Sequence, residues 1–509
     1  MLKRVAKALN ATLFGHLIAR VGSFMLVPLF LSRWSASLYG EYMALFAAVS
    51  YLAGLDIGMQ LAAVNRLTKA YSRKDLDEYR LVQHSALAFY LCVAAGATLL
   101  AIFLAILLPI PRRIGLRLTT PSIATSVIIV LAMYVLWSFP TRLITSTYQT
   151  MGNLARSQWV TNSQQVLGVV VTVVVLLLGG GMLSIAFTQV ALLCAPLMLV
   201  LWDVHTHAPE LFPGIAGAKF SVLTDLFHPS LLFALLVVAN LVAFQGSVLL
   251  VSATFGGVAV AVFSVSRTLI NVIREVLYSF GVALWPDLAR FEATGELEKL
   301  RGVHRLMVFG TCVVAIALGT CVWFEGSLII TIWTRGRFVP DVTLLRLLVV
   351  FTVLQTPWMA SSAVSTATNH HRIYATAYFV STVIGVTLAT LLIGRLGMSA
   401  VPLGLTIGEA LCCYHFVIRA TCRLIHEPYA PFAVRLWSGL CVLGALVMTA
   451  GWLVHHMIPG PVLVRWVAMG LITLVVSAAG AWLFWLSRQD RVLVVPNLRP
   501  LFGMMNAKV

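Results

Sequence analysis

The segment LVQHSALAFYLCVAAGATLLAIFLAILL, residues 81–108, contains no Asp, Glu, Lys or Arg. A run of about 20 apolar residues is long enough to cross the hydrocarbon core of a bilayer as an α-helix. Inside that core every backbone N–H and C=O group must be paired within the segment, and an α-helix pairs them while an isolated strand does not. The segment therefore predicts a membrane-spanning helix.

The composition of the whole chain extends this prediction. Of its 509 residues, 60% are hydrophobic and only 10% are charged, whereas soluble domains carry about 25% charged residues. A soluble enzyme, a disordered protein and a secreted disulfide scaffold are therefore excluded. The formal net charge of +17 would suggest a nucleic-acid partner in a soluble protein. Here we attribute it to basic cytoplasmic loops and an anionic substrate, and expect no nucleic-acid partner.

Apolar windows recur along the chain and predict an all-α polytopic membrane protein with about fourteen transmembrane helices. No stretch between them is polar enough to form a separate soluble domain. The predicted helices are Leu9–Leu31, Leu38–Val64, Leu81–Leu108, Ile123–Thr145, Gln158–Leu178, Leu183–Leu201, Leu226–Ala253, Val258–Trp285, Leu306–Ile332, Val342–Val364, Ala375–Ile393, Val401–Ile418, Leu436–Met457 and Val462–Leu486.

Short motifs indicate an internal repeat. An Asn-x-x-Arg motif precedes the fifth helix at residues 153–156 and the eleventh at residues 369–372. The same offset relates Gly181–Met182, before the sixth helix, to Gly397–Met398, before the twelfth. A repeat of six helices inserts twice in the same orientation, so the two copies are related by an axis along the membrane normal. We therefore expect two six-helix lobes with a pseudo-two-fold axis.

This repeat defines the expected domains. Residues 1–207 form the N-terminal lobe, 208–225 a cytoplasmic linker, and 226–422 the C-terminal lobe. Residues 423–509 add two helices and a tail. With both termini in the cytoplasm, Lys and Arg residues in cytoplasmic segments outnumber those in external loops by roughly three to one, which favours this orientation.

Ionisable residues inside predicted helices identify a candidate substrate site, because such residues usually face a partner or a watery cavity. Arg267, Asn271 and Arg274 share one face of the predicted eighth helix, Arg20 lies in the first helix, and Arg142 lies in the fourth. A guanidinium group offers a planar fork that matches phosphate oxygens. We therefore predict that these five residues bind an anionic lipid head group, especially a pyrophosphate.

Three carboxylates in the predicted helices leave two interpretations open. Asp56, Glu275 and Glu409 could bind a coupling ion, H⁺ or Na⁺, or could form structural ion pairs with the arginines. No nucleotide-binding or catalytic motif accompanies them, so we expect no enzymatic activity, no catalytic residue and no cofactor. The eight cysteines lack the spacing of zinc ligands, so we also expect no metal site.

Several local motifs carry a family resemblance. The segments Leu38–Tyr42 (LYGEY) and Asp56–Met59 (DIGM), followed by Asn65-Arg66 and a basic-acidic loop through Asp75, resemble polysaccharide exporters. The loop Asp287–Arg305 after the eighth helix fits as well. These exporters are the Wzx-type O-antigen flippases of the MOP (multidrug/oligosaccharidyl-lipid/polysaccharide) superfamily.

This resemblance implies two six-helix lobes in a V shape with two extra C-terminal helices. It implies that the protein flips a polyprenyl-pyrophosphate-linked oligosaccharide from the cytoplasmic to the outer leaflet by alternating access. The location would be the bacterial inner membrane. The products would serve surface polysaccharides, namely the O-antigen of lipopolysaccharide, capsule or exopolysaccharide. Other membrane proteins of polysaccharide assembly would be partners.

Three alternative functions stay open at this stage. A lipid II flippase is a close relative with an Arg-rich cavity. A cation-coupled multidrug exporter is a second alternative, although that branch places carboxylates deep in the first or seventh helix and neither helix here has one. An integral-membrane glycan polymerase or ligase is the third, although such enzymes usually carry a large external loop and the external loops here are short.

The charge distribution generates a test of topology. Reporter fusions placed after Ala208 and at Val509 should both report a cytoplasmic location, because the positive-inside bias sets the orientation of short loops. A periplasmic signal from either fusion would contradict the even-helix arrangement and the lobes that depend on it.

Overall fold

Most of the chain that the structure describes is helical. This computed structural model describes residues 15, 22, 24–110, 114–337, 339–368, 370–458 and 462–485. Within those ranges, 12 stretches are long and apolar enough to cross a membrane. One of them, Arg372–Leu424, contains two helices joined by a 3₁₀ turn at Gly397–Ser399. These findings confirm the all-α polytopic fold and are compatible with fourteen spans.

The helices are numbered here in chain order. Those of the N-terminal half are α1 (Phe24–Arg33), α2 (Ala36–Ser50), α3 (Met59–Ser72), α4 (Leu76–Leu107), α5 (Pro121–Thr145), α6 (Leu154–Leu177) and α7 (Met182–His207). The others are α8 (Phe220–Leu241), α9 (Ser247–Phe255), α10 (Gly257–Ala293), α11 (Leu297–Trp333), α12 (Val342–Ala367), α13 (Arg372–Leu396), α14 (Ala400–Leu424), α15 (Tyr429–Met457) and α16 (Val462–Gly480). Most of the predicted first helix, Leu9–Leu31, lies outside the described residues.

The chain forms two compact units. The first comprises Met1–Thr268 with Trp333–Val339, and the second comprises Leu269–Ile332 with Pro340–Val509. In the first unit α5 packs against α4 and α7, and α8 packs against α3 and α4. In the second, α14 packs against α12 and α13, and α15 packs against α16. The predicted lobes and linker, with their bounds at 207, 225 and 422, stay a prediction.

Side-chain caps fix where several helices begin. Ser35, Asp75, Asn153 and Asp341 each accept a hydrogen bond from the backbone N–H three residues later, at 3.1, 2.9, 3.3 and 3.0 Å. A helix leaves its first N–H groups without partners, and a short polar side chain satisfies one of them. The Asn of the first Asn-x-x-Arg motif, at 153, is therefore the N-cap of α6.

The predicted second helix is not continuous. After α2 the chain forms a 3₁₀ turn, Tyr51–Asp56, and then two residues with positive φ, Ile57 at 52° and Gly58 at 68°. The helix restarts as α3, where Asp56 accepts a hydrogen bond from the N–H of Gln60 at 3.3 Å. Left-handed backbone stops a right-handed helix, and periodicity of apolar residues does not reveal such a break.

A buried carboxylate holds the loop that precedes α5 against α2. Glu41 of α2 is 0% exposed and accepts hydrogen bonds from the backbone N–H groups of Arg117, Leu118 and Thr119 at 2.7–2.8 Å. Three successive N–H groups form a concave site for an anion. The negative charge of Glu41 is therefore stabilised by backbone dipoles in this unit.

The start of α10 touches α2 backbone to backbone. A Cβ atom added at Gly40 would lie 1.7 Å from the carbonyl oxygen of Gly257, and one added at Gly257 would lie 2.5 Å from the carbonyl oxygen of Ser37. Only glycine permits such an approach. The first residue of α10 is therefore in direct backbone contact with the N-terminal part of α2.

We therefore expect Gly40→Leu to destabilise the first unit, because the two backbones must separate. Overpacking costs about 1–3 kcal/mol or more, which a thermal unfolding measurement in detergent would detect as a lower midpoint. Gly96→Leu in α4 is the control, since a Cβ there meets nothing within 4 Å. Equal midpoints for the two variants would contradict the close contact.

Candidate functional site

The first unit contains a polar cavity of about 640 Å³. Its described lining comes from α1, α2, α3, α5, α6, α7 and the turn after α5. Hydroxyl groups of Ser, Thr and Tyr134 make up most of the polar part, and five glutamine amides lie beside them. Among the described lining residues there is one cation, Arg142, and no carboxylate. The glutamines are Gln60, Gln149, Gln164, Gln165 and Gln189.

The polar face of α5 positions the cation. Ser138, Thr141, Arg142 and Thr145 all line the cavity, and their spacing of three and four residues places them on one helical face. Arg142 is exposed, so its guanidinium group is accessible. In a chain of membrane-spanning helices an ionised side chain needs water or an opposite charge, and this cavity supplies space for either.

The amides of the cavity wall leave acceptor atoms available. The side-chain NH₂ of Gln189 donates to the hydroxyl of Tyr42 at 3.0 Å, and that of Gln164 donates to the carbonyl oxygen of Leu192 at 3.4 Å. Both hydrogen bonds use an amide N–H group, so the side-chain oxygen of each glutamine can still accept a hydrogen bond. The oxygen Oε1 of Gln165 is buried and has no partner within the described part of the chain. Such oxygens accept hydrogen bonds from ligand hydroxyl groups.

Arg267 is engaged with its own unit. Its Nη1 donates a hydrogen bond of 2.6 Å to the carbonyl oxygen of Phe244. The guanidinium carbon lies 5.7 and 5.4 Å from the ring centres of Phe244 and Phe263. Phe244 belongs to a π-helical turn, Val242–Gly246, between α8 and α9. Arg267 therefore braces the point where α8 passes into α9, and its predicted contact with substrate stays a prediction.

Arg274 lies in the second unit beside a buried carboxylate. Glu409 of α14 is 3% exposed and accepts hydrogen bonds from Gln355 Nε2 at 2.5 Å and Trp358 Nε1 at 2.9 Å. Both donors are neutral, so the charge of an ionised Glu409 is balanced by a cation or not at all. Arg274 interacts electrostatically with Glu409, with Glu275 and with the hydroxyl of Tyr378.

The remaining predicted site residues are placed as follows. Asp56 accepts hydrogen bonds from the hydroxyl of Tyr90 and from the backbone at the start of α3. Asn271 is half-buried on α10, and Glu275 follows Arg274 on the same helix. Arg20 lies outside the described residues. The structure therefore places Arg274 within electrostatic range of Glu409 and puts Arg142 in the polar cavity.

Two further buried carboxylates were not singled out from the sequence. Glu325, 1% exposed, accepts hydrogen bonds from His455 at 2.8 Å, Arg465 at 2.9 Å and Trp466 at 3.1 Å. It joins α11 to α15 and α16, the two additional C-terminal helices. The available signal was its position, a lone acidic residue in an apolar run, because such residues have a partner.

The second such carboxylate is in α7. Asp203, 6% exposed, accepts hydrogen bonds from Tyr148 at 2.7 Å and Arg156 at 2.8 Å. Arg156 also lies over the ring of Tyr148, 4.6 Å from its centre. The Arg of the first Asn-x-x-Arg motif therefore closes the ends of α6 and α7. Within the described ranges no group of three His, Cys, Asp or Glu side chains could hold a metal ion.

Comparison with known proteins establishes the fold. No protein-family model matches the chain, and no curated protein sequence matches it. Among solved structures, the lipid II flippase MurJ in an inward closed conformation superposes with a TM-score of 0.67 at 12% identity, covering 93% of this chain and 98% of that chain. A multidrug resistance MATE family transporter of the MOP superfamily, inward-facing, gives 0.64 at 16% identity, covering 82% and 94%.

A third structure carries a description of its pocket. A MOP superfamily transporter from Pyrococcus furiosus gives a TM-score of 0.61 at 14% identity, covering 84% of this chain and 97% of that chain. Its published description is a binding pocket of reverse polarity that suggests a different function. The fold of the present chain is therefore similar to that of MOP-superfamily transporters, and the narrower resemblance to O-antigen flippases stays a prediction.

The different surroundings of two arginines generate a prediction. Arg267→Gln should lower the unfolding midpoint in detergent, because the partly buried carbonyl group of Phe244 loses its hydrogen bond from the guanidinium group, and a hydrogen bond to a charged group contributes about 1.5–3 kcal/mol. Arg142→Gln should leave the midpoint unchanged, because that side chain faces open space. The opposite order of the two midpoints would show that Arg142, and not Arg267, is the structural residue.

Proposed function

We propose that this protein is a flippase for a polyprenyl-pyrophosphate-linked oligosaccharide, which it moves from the cytoplasmic to the outer leaflet by alternating access. The observation that supports this most is the chemistry of the cavity in the first unit. Its described lining offers amides, hydroxyls and one guanidinium group, and no carboxylate. Sugars present many hydroxyl groups, and amide side chains both donate to and accept from them. The protein acts in the bacterial inner membrane, and the flipped oligosaccharide is used for surface polysaccharide synthesis.

Two of the alternative functions, the drug exporter and the glycan polymerase, fit this cavity less well, and the lipid II flippase fits it equally well. A cationic drug would need a carboxylate or a set of aromatic faces, and the described lining has two aromatic residues, Phe46 and Tyr134, and no carboxylate. A glycan polymerase would need general acid–base groups in the cavity, and Arg142 cannot serve as one because its guanidinium stays protonated. A lipid II flippase would need the same amide, hydroxyl and guanidinium groups in its cavity, and the lipid II flippase MurJ has a similar fold.

The membrane potential suffices to give this transport a direction. A pyrophosphate diester carries about two negative charges, and each gains about 2.3 kcal/mol per 100 mV when it moves outward across an inside-negative membrane. About 4–5 kcal/mol is then available without nucleotide hydrolysis. An H⁺ or Na⁺ gradient could add to it through Glu409, Glu275 or Asp56.

We further propose that Arg274 binds the pyrophosphate and that Glu409 holds Arg274 ready in the empty protein. Glu409 is fixed by Gln355 and Trp358, so its negative charge has a defined position. A phosphate group competes with this carboxylate for the guanidinium fork and can bind it through two parallel hydrogen bonds. Arg142, Arg267, Asn271 and Arg20 are the other residues that we assign to the path of the substrate.

The function is tested by reconstitution into liposomes that contain a pyrophosphate-linked oligosaccharide in the inner leaflet. The protein should make the glycan accessible to an external glycosidase. Liposomes that contain the protein and are loaded with a cationic dye should not release the dye. Transfer of the glycan to another molecule would instead indicate a polymerase or ligase. Activity with lipid II and none with other pyrophosphate-linked glycans would favour the lipid II alternative.

In the same assay Arg274→Ala should abolish flipping while the protein remains inserted and folded. Arg274→Lys should keep part of the activity, because the charge survives and the planar fork does not. A solely structural Arg274 predicts a different result: the Ala variant would lose abundance through the uncompensated charge of Glu409, and adding Glu409→Gln would restore it. Normal flipping by a well-expressed Arg267→Ala/Arg274→Ala protein would disprove the cationic path.

A further inference from the structure

The second unit contains an apolar groove of about 340 Å³. It lies among α11, α12 and α15, and Thr320 and Trp323 are the only described lining residues with hydroxyl or N–H groups in their side chains. It shares no lining residue with the polar cavity of the first unit. Its walls include Ile316, Gly319, Leu354, Leu440, Gly444 and Met448.

The groove results from where the three helices touch and where they do not. At Gly451 an added Cβ would lie 2.5 Å from Thr320, so α15 and α11 are in close contact there. At Gly319 an added Cβ would lie 3.1 Å from both Val349 and Val353 of α12. At Gly444 an added Cβ would meet nothing within 4 Å. The missing side chain of Gly444 therefore leaves open space between helices that are packed elsewhere.

One end of the groove carries a positive charge. The guanidinium carbon of Arg346 lies 5.1 Å from the ring centre of Trp323, which itself lines the groove. Arg346 is exposed and stands one helical turn from Val349 and Val350, which also line it. The groove thus combines an apolar surface with a cation at one end. This arrangement complements an anionic lipid, which has an apolar chain and a negatively charged head group.

The acidic groups near this end are already engaged. Asp341 caps α12 by accepting a hydrogen bond from the N–H of Leu344. Glu325, two residues after Trp323, is buried and is bound by His455 and Arg465. The charge of Arg346 therefore remains available to a ligand at the mouth of the groove.

We propose that this groove binds one acyl chain of an anionic membrane phospholipid whose phosphate group is bound by Arg346. An apolar trough in a bilayer is filled by hydrocarbon, and basic residues between transmembrane helices bind anionic head groups. A phospholipid phosphodiester carries a single charge, which matches one arginine. A transported pyrophosphate lipid carries about two charges and would be matched by more than one guanidinium group.

The first test fills the groove. Gly444→Leu places a side chain in open space, so the protein should fold, and the bound phospholipid should be lost. Gly470→Leu in α16 is the matched control, because a Cβ there also meets nothing within 4 Å and Gly470 does not line the groove. The measurement is mass spectrometry of lipids retained by each protein after extraction in mild detergent.

The second test separates the head group from the chain. The intact protein, in vesicles of equal phosphatidylglycerol and phosphatidylcholine, should retain phosphatidylglycerol in excess, and Arg346→Gln should abolish this preference while a lipid is still retained. Arg346→Lys should keep the preference, because the charge remains. These readouts need no transport, so they stand whether or not the protein is a flippase.

Three results would overturn the inference. Gly444→Leu protein could retain the same lipid as the unchanged protein. The retained lipid could match the vesicle composition in both the unchanged protein and Arg346→Gln. In protein extracted from cells, the lipid displaced by Gly444→Leu could be an isoprenoid pyrophosphate, which would assign the groove to the transported substrate.

Discussion

The cost of an unpaired charge in hydrocarbon governs this structure. Glu41, Asp203, Glu325 and Glu409 are each at most 6% exposed, and each accepts at least two hydrogen bonds. A carboxylate without such partners would cost several kcal/mol in this setting. The consequence is that each of these carboxylates fixes the position of neighbouring helices or loops.

Their partners divide the carboxylates into two kinds. Glu41 is held by backbone N–H groups and Glu325 by an arginine, a histidine and an indole, so both have donors that a ligand would not displace without breaking a helix contact. Glu409 is held by two neutral side chains and relies on Arg274 for its charge balance. The charge balance of Glu409 therefore changes when an anion approaches Arg274, as that of Asp203 does when an anion approaches Arg156.

Irregular backbone in the first unit serves a related purpose. The break at Ile57 and Gly58 and the π-helical turn at Val242–Gly246 both free backbone groups within the apolar part of the chain. Asp56 satisfies an N–H after the first, and Arg267 satisfies a carbonyl at the second. Such breaks are tolerated in membrane helices where side chains, neighbouring helices or water supply the missing partners. Polar residues near a break are thus partly committed to the backbone, and those in α5 are left to face the cavity.

The sequence by itself determined the class of fold and the location of its helices. A hydrophobic run long enough to cross a bilayer forms an α-helix, because hydrocarbon offers no hydrogen-bond partner for the backbone and a helix pairs its own N–H and C=O groups. Described helices begin and end near the predicted bounds, as α12 does at Val342 and α15 at Met457. The sequence also identified the intramembrane arginines as exceptional, because charge inside an apolar run is costly wherever it points.

Only the tertiary structure decided what each of these charges meets. Arg142 and Arg267 are similar in sequence, each a cation within a predominantly apolar helix, yet one lines a polar cavity and the other binds the carbonyl group of Phe244. Partners of Glu325 lie 130 and 140 residues away along the chain. Which distant helix supplies a partner depends on three-dimensional packing, and the periodicity of apolar residues along the sequence does not reveal it. The break in the second helix, set by left-handed backbone at Ile57 and Gly58, was hidden for the same reason: apolar periodicity reports which side chains are buried and not the φ that the backbone adopts.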